Sequence, residues 1–354
     1  MTRTSLNTIV LTSALLTTAV PPHLAMAQEM AMPTAQMKAV LDKLAELGAK
    51  PLGTISVDEA RSQPTPADAV AAVMADKGIA PVPALAAIVT KDIAIPGPAG
   101  EIPARVYTPA GAGPFPVILY YHGGGWVIAD LDTYDGSARA LADGASAIVV
   151  SAHYRQAPED KFPAMHEDAY AAYEWVVAHG QDFNADTERL AVAGESAGGN
   201  LALNVALEAR DRKANIQPDA LLLVYPIAGN DMTTESYTVN AQAAPLGRGG
   251  MEWFFSQVFT SVDETADPRI NLVARDDLAG LPPTTIILAE IDPLRSEGDL
   301  LADRLVMAGV DVSKETYAGV THEFFGMAPV IDEAKHAMSF ATAALKKAFS
   351  TDTN

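Results

Sequence analysis

Six short strand-like runs, the clearest of them almost wholly apolar, alternate with amphipathic stretches, and this alternation limits what the chain can fold into. The runs are Pro116–Tyr121, Ala147–Ser151, Leu190–Ala193, Ala220–Tyr225, Thr284–Ala289 and Val312–Tyr317. Pro116–Tyr121, almost wholly apolar, is too short for a buried helix and too uniform for a strand with one wet face, and the other runs are read as comparable strands covered on both faces. Between most of them lie helical stretches at Ser137–Gly144, Pro163–His179, Ala197–Lys213 and Ser296–Ala308, and Asp332–Phe349 follows the last. Strand alternating with helix predicts βαβ units, hence an α/β fold with a mostly parallel central sheet flanked by helices. Ahead of it, two strand-like runs flank Pro96-Gly97-Pro98-Ala99-Gly100, the pattern of an antiparallel hairpin.

Two further segments do not fit the alternation. Met37, Val40, Leu41, Leu44 and Leu47 fall at helical spacing with Gly48 as the stop, and Thr65-Pro66-Ala67-Asp68 starts a second helix ending near Gly78. Between core strands, Ala228 to about Val273 forms an insertion holding Met251, Trp253, Phe254, Phe255 and Phe259 without strand alternation. An insertion of that length is a lid or a small helical subdomain. The expected organisation is therefore a leader over 1–27, an N-terminal helical cap segment over 28–85, core over 86–227, a cap insertion over 228–273 and core again over 274–350.

The leader is expected because Arg3 precedes an apolar run from Ile9 to Val20 and Ala25-Met26-Ala27 follows. That is the layout of a secretory signal cut after Ala27, with the mature chain exported, either periplasmic or secreted. The run is shorter than the roughly 20 apolar residues of a membrane span, so stable anchoring is not expected. With 24 basic and 44 acidic residues the net charge is −20, which repels nucleic-acid backbones and anionic lipid surfaces. The chain has no cysteine, which removes disulfides, thiol catalysis and thiolate metal sites at once.

The chemistry is concentrated in three places. Gly194-Glu195-Ser196-Ala197-Gly198 matches Gly-x-Ser-x-Gly, between the strand-like Leu190–Ala193 and an Ala-rich helical stretch. A turn so tight needs glycines beside the serine, holds its hydroxyl at the sheet edge, and aims the amides of the new helix at the reacting centre. A serine hydroxyl is a poor nucleophile at neutral pH and requires a base, itself oriented by an acid. In the expected order Ser, Asp, His, Asp292 follows the strand Thr284–Ala289 and His322 follows Val312–Tyr317. Glu290 is the alternative acid, although it should still lie on the strand. The third place is His122-Gly123-Gly124-Gly125-Trp126, directly after a buried strand. Three glycines there let backbone N–H groups approach a ligand as an oxyanion hole, completed by the amide of Ala197, with His122 structural.

Together these motifs resemble the hormone-sensitive-lipase-like branch of the α/β-hydrolases, the bacterial family IV carboxylesterases. The resemblance runs from about Ile88 to Phe349 and includes Tyr154-Arg155-Gln156-Ala157-Pro158-Glu159, Phe162-Pro163-Ala164 with Glu167-Asp168-Ala169, and Tyr225-Pro226. It implies Ser196, Asp292 and His322 as the triad, and an oxyanion hole from Gly124, Gly125 and Ala197 with Gly123 beside them. It also implies a cap built from the N-terminal helices and the insertion, and short to medium acyl esters as substrates. Two departures stand out: Glu195 replaces a frequent Asp, and Glu323 follows the histidine where Gly is frequent, altering the surroundings of the base.

Trp126, Trp253, Phe254 and Phe255 are candidates for substrate contact, while the core of the cap is the favoured use for the insertion's aromatics. Amides and lactones remain open as substrates of the same machinery, and a non-catalytic receptor on this fold is the rival of another class. No cofactor or metal is required. The zincin-like starts at His322-Glu323 and His166-Glu167 lack the second histidine, those positions being Gly326 and Tyr170.

Overall fold

The computed structural model describes Met1 and residues 30–350, so the expected leader over 1–27 lies, apart from Met1, outside the described residues. Eight strands form one sheet: β1 (Val89–Gly97), β2 (Gly100–Thr108), β3 (Phe115–Tyr121), β4 (Ile148–Ala152), β5 (Ala185–Glu195), β6 (Ala220–Val224), β7 (Thr284–Ile291) and β8 (Val312–Thr321). Their spatial order is β1-β2-β4-β3-β5-β6-β7-β8, and β2 alone runs against the others. The first two form the expected hairpin, closing at Gly97 opposite Gly100.

The helices are α1 (Ala35–Glu46), α2 (Val57–Ser62), α3 (Pro66–Lys77), α4 (Pro83–Ala86), α5 (Asp135–Ala145) and α6 (Ala164–His179). They continue as α7 (Ala197–Asp211), α8 (Glu235–Val239), α9 (Arg248–Val258), α10 (Arg295–Met307) and α11 (Asp332–Ser350). The sheet divides two apolar layers by simple alternation. Val117, Leu119 and Tyr121 of β3 face α6, α7 and α10, whereas Ile118 and Tyr120 face α5 and α11, with α1 and α3 beyond. All seven side chains of β3 are buried, and each aliphatic one contributes roughly 1.5–3 kcal/mol against exposure.

Two expectations need correction. Val312–Tyr317 is not buried on both faces: β8 is an edge strand whose Ser313, Lys314, Glu315 and Thr316 are exposed, and charge on an edge discourages pairing with another chain. Helix α2 was not expected from periodicity, being only six residues long. It is set instead by a capping box, with Ser56 and Glu59 each bonding the other's backbone N–H.

The insertion over 228–273 holds α8, α9 and two short 3-10 turns. Its Gly249 carbonyl lies against Gly53 of the N-terminal segment, 3.1 Å from where a Cβ would be. Arg61 of α2 bonds the carbonyls of Val127 and Ala157 at 2.9 Å each, tying that segment to the loops after β3 and β4. Among the described residues no helix is long and apolar enough to cross a membrane.

Candidate active site

Strand order and register bring the motifs together. The chain leaves β3 toward β4 on one side and returns to β5 on the other, so the crevice beyond the carboxyl ends of β3 and β5 is a topological switch point. Tyr121 is paired with Gly194, which sets the His122–Trp126 loop beside Glu195 and Ser196. At the far side Ile291 is paired with Thr321, and the next residues on those strands are Asp292 and His322.

Ser196 sits between β5 and α7 with φ 55° and ψ −116°, a conformation costing on the order of 1–3 kcal/mol that the surrounding packing must hold. Its own N–H is anchored to the Val224 carbonyl at 2.8 Å. The turn tolerates no side chain at Gly198, where a Cβ would come within 2.0 Å of the Tyr121 carbonyl oxygen.

A continuous hydrogen-bonded line joins the three side chains. His322 Nε2 is 3.0 Å from Ser196 Oγ, and His322 Nδ1 is 2.6 Å from Asp292 Oδ2. All three are buried, with Asp292 fully so. Asp292 Oδ1 accepts from the Leu294 N–H at 2.9 Å, which fixes the carboxylate plane. The alternative acid, Glu290, lies in β7 and accepts from the Gly319 N–H instead. Burial disfavours the His322 imidazolium, but the charge and hydrogen bond of Asp292, with the charges of Glu323 and Glu195, outweigh it and raise the pKa above the ordinary histidine value.

Gly124 and Gly125, at φ 91° and 57°, line the same cavity as Ser196 and His322. Among the described residues their amides and that of Ala197 have no hydrogen-bond acceptor, which leaves them free for a developing oxyanion. Gly123 does not line the cavity, and a Cβ there would meet the Tyr134 hydroxyl at 2.3 Å. His122 is fully buried, hydrogen-bonded to the Gly123 carbonyl and to His153 at 2.9 Å each. Burial, then the neighbouring His153, pushes its pKa down to about 3, so it stays neutral.

The cavity has a volume of about 860 Å³. Met251, Trp253 and Phe254 of α9 line it, Phe254 lying flat against Gly125. Trp126 and Phe255 do not. A left-handed φ of 60° turns Trp126 into the core beside His166, fully buried, and Phe255 packs edge-on against Phe259 at 5.1 Å.

Several supporting residues carried no sequence signal. Asn240, at the end of α8, donates to the carbonyls of Asp292 (3.1 Å) and Glu290 (3.3 Å), and Ser236 donates to that of Pro293 (2.6 Å). Glu297 accepts from the N–H groups of Ala228 and Gly229, and burial above all pushes it up to about 8. Beneath the serine, the Glu195 carboxyl accepts from Tyr120 (2.6 Å) and Tyr225. Burial first, and the charge of Glu323 second, push Glu195 up to about 7. Among the described residues no cluster of three or more acidic or imidazole side chains is arranged to hold a metal ion.

Comparison with known proteins agrees with this fold. A family described as the alpha/beta hydrolase fold matches residues 118–326. The esterase LipI of Mycobacterium tuberculosis is 41% identical over 261 residues, 72% of this chain and 81% of that protein. Carboxylic ester hydrolase LipN of the same organism is also 41% identical, over 67% of this chain and 64% of its own length. The ethyl acetate hydrolase of Pseudomonas putida is 30% identical over 84% of this chain and 92% of that one. Among solved structures, the hyperthermophilic esterase of Pyrobaculum calidifontis superposes with a TM-score of 0.80 at 34% identity, covering 90% of this chain and 99% of the other. The chain belongs to the alpha/beta-hydrolase family and, within it, to the hormone-sensitive-lipase-like carboxylic ester hydrolases.

Proposed function

We propose that the protein cleaves carboxylic esters of short to medium acyl chain through an acyl-enzyme on Ser196. His322 Nε2 takes the Ser196 proton as Oγ attacks the carbonyl carbon, and the amides of Gly124, Gly125 and Ala197 receive the oxyanion. The imidazolium then protonates the departing alcohol. Water, deprotonated by the same nitrogen, attacks the acyl-enzyme and releases the acid with Ser196 restored. Asp292 keeps the proton on Nδ1 and stabilises the imidazolium. The single observation carrying this reading is the unbroken line from Asp292 Oδ2 to His322 to Ser196 Oγ, at 2.6 and 3.0 Å.

We assign the helices before β1 and the insertion over 228–273 to a cap. Both contribute cavity wall, Leu52 from the first and Leu246, Trp253 and Phe254 from the second. A series of p-nitrophenyl esters from acetate to laurate tests the substrate range. Turnover should peak among the shorter chains and vanish in Ser196→Ala, and turnover retained by that variant would refute the assignment. We extend the proposal to location: residues 1–27 direct export and are removed. Mass analysis of the secreted or periplasmic protein should find Gln28 at its N-terminus, and an intact Met1 would contradict it.

A further inference from the structure

The residue after the catalytic histidine adds a carboxylate to the reacting end of the cavity. Glu323 has a left-handed φ of 72°, which turns its side chain back beside the imidazole, so Oε1 lies 3.9 Å from His322 Nε2. The Tyr134 hydroxyl stands 2.8 and 2.7 Å from its two oxygens and pins it, and the absent side chain at Gly123 makes room for that hydroxyl. About a fifth of the Glu323 side chain remains exposed, and it forms part of the wall that Ser196 and His322 share.

This position relates to a defined part of the substrate. Nε2 must hand its proton to the leaving oxygen, which therefore comes within hydrogen-bond reach of it. The leaving oxygen is then no more than about 7 Å from Glu323 Oε1, a span that a substituent on the first carbons of the alcohol can bridge. Lys50 and Arg61 are the cavity-lining cations. Arg61 is held by Glu159 at 2.8 Å and Lys50 stands 3.9 Å from Glu59, and among the described residues neither forms an ion pair with Glu323. Asp292 and Glu195 flank the same imidazole from below.

We infer that Glu323 is a specificity-determining residue that selects esters whose leaving alcohol carries a cationic centre near the ester oxygen, such as amino-alcohol esters. The inference rests on the esterase reading and deepens it. Tyr134 orients the carboxylate, and the cation of the alcohol pairs with it while the acyl group lies toward Ser196 and the glycine loop.

The test uses two esters of nearly equal shape, acetylcholine and its uncharged carbon analogue 3,3-dimethylbutyl acetate. The ratio of their kcat/KM values is taken after each is divided by that ester's rate of hydrolysis by hydroxide, because the ammonium group also makes choline the better leaving group. Any effect of Glu323 on the imidazolium is common to both and cancels. The wild type should favour the cationic ester by roughly fivefold or more at low salt, with the preference shrinking as salt rises. In Glu323→Gln the ratio should fall to about one, and Tyr134→Phe should lower it in part. Fluorophosphonate labelling of each variant verifies that the site is folded. A wild-type ratio at or below one, or a preference that survives in Glu323→Gln, would overturn the inference. Failure of the esterase reading has a different signature, since neither ester would then be turned over by the wild type.

Discussion

Replacing Asp292 by Asn tests how the histidine is oriented, because it removes a charge while keeping the shape. Asp292 accepts two hydrogen bonds, from His322 Nδ1 at 2.6 Å and from the Leu294 N–H at 2.9 Å. Asparagine has one oxygen for these two donors. If its NH2 faced Leu294, two buried donors would oppose each other at a cost of about 1–3 kcal/mol. The cheaper arrangement keeps oxygen on Leu294 and turns the NH2 toward His322, so the imidazole moves its proton to Nε2. That nitrogen then donates to Ser196 and can no longer accept from it. The same substitution in a serine protease triad lowers kcat by about 10⁴, or roughly 5.4 kcal/mol, and a loss of that order is expected here. Stability should change by no more than about 2 kcal/mol, because the Leu294 bond persists. The assay is steady-state hydrolysis of p-nitrophenyl acetate, with circular dichroism and thermal unfolding as controls. A fall of less than about tenfold in a folded variant would refute the reasoning and turn attention to another acid.

Three further outcomes follow from the same geometry. Asn240→Ala removes the donor that ties the acid loop to α8, and should lower kcat more than it raises KM while costing about 1–3 kcal/mol in urea unfolding; unchanged kcat would show the loop holds without it. Glu195 has a folded pKa of about 7 against an ordinary value of 4.5, so its neutral form favours the fold. That contribution is complete below about pH 4.5 and lost as pH rises through 7, so wild type should lose roughly 3 kcal/mol relative to Glu195→Gln between pH 4.5 and 8.5. Parallel stability curves for the two proteins would contradict it. Finally, kcat/KM should fall as His322 gains a proton on the acid side, with a midpoint above 6.5 that moves down in Glu323→Gln, since Asp292, Glu323 and Glu195 all favour the imidazolium. A midpoint at or below 6.5, or one unmoved by the substitution, would contradict it.

The middle of the sheet was legible because its inner strands, such as β3, β4 and β6, are buried on both faces, so composition alone marks them. The reading failed at β8, where Tyr317 and Val320 face the core while Lys314 and Glu315 face water at the sheet edge. The Ser196 turn was legible because its geometry restricts residue types at fixed spacing, and the order of Asp292 and His322 follows from parallel topology. Residues of the insertion were harder to place. Met251, Phe254 and Val258 form the buried stripe of α9, which leaves Trp253 half-buried at the cavity and Phe255 turned toward Phe259. Nothing in a linear pattern separates adjacent aromatics on a short helix. Trp126 next to three glycines looked like a site residue, but a single left-handed φ sends it inward. Asn240 and Tyr134 act through partners 52 and 189 residues away, a relation that only the folded chain defines.

The most direct measurement is the site of covalent capture. Incubation with a fluorophosphonate, followed by peptide mapping, should give one adduct on the peptide holding Ser196, with esterase activity lost in proportion. An adduct on a different residue, or full turnover by protein whose Ser196 is wholly modified, would contradict the hydroxyl at the strained turn as the acyl carrier.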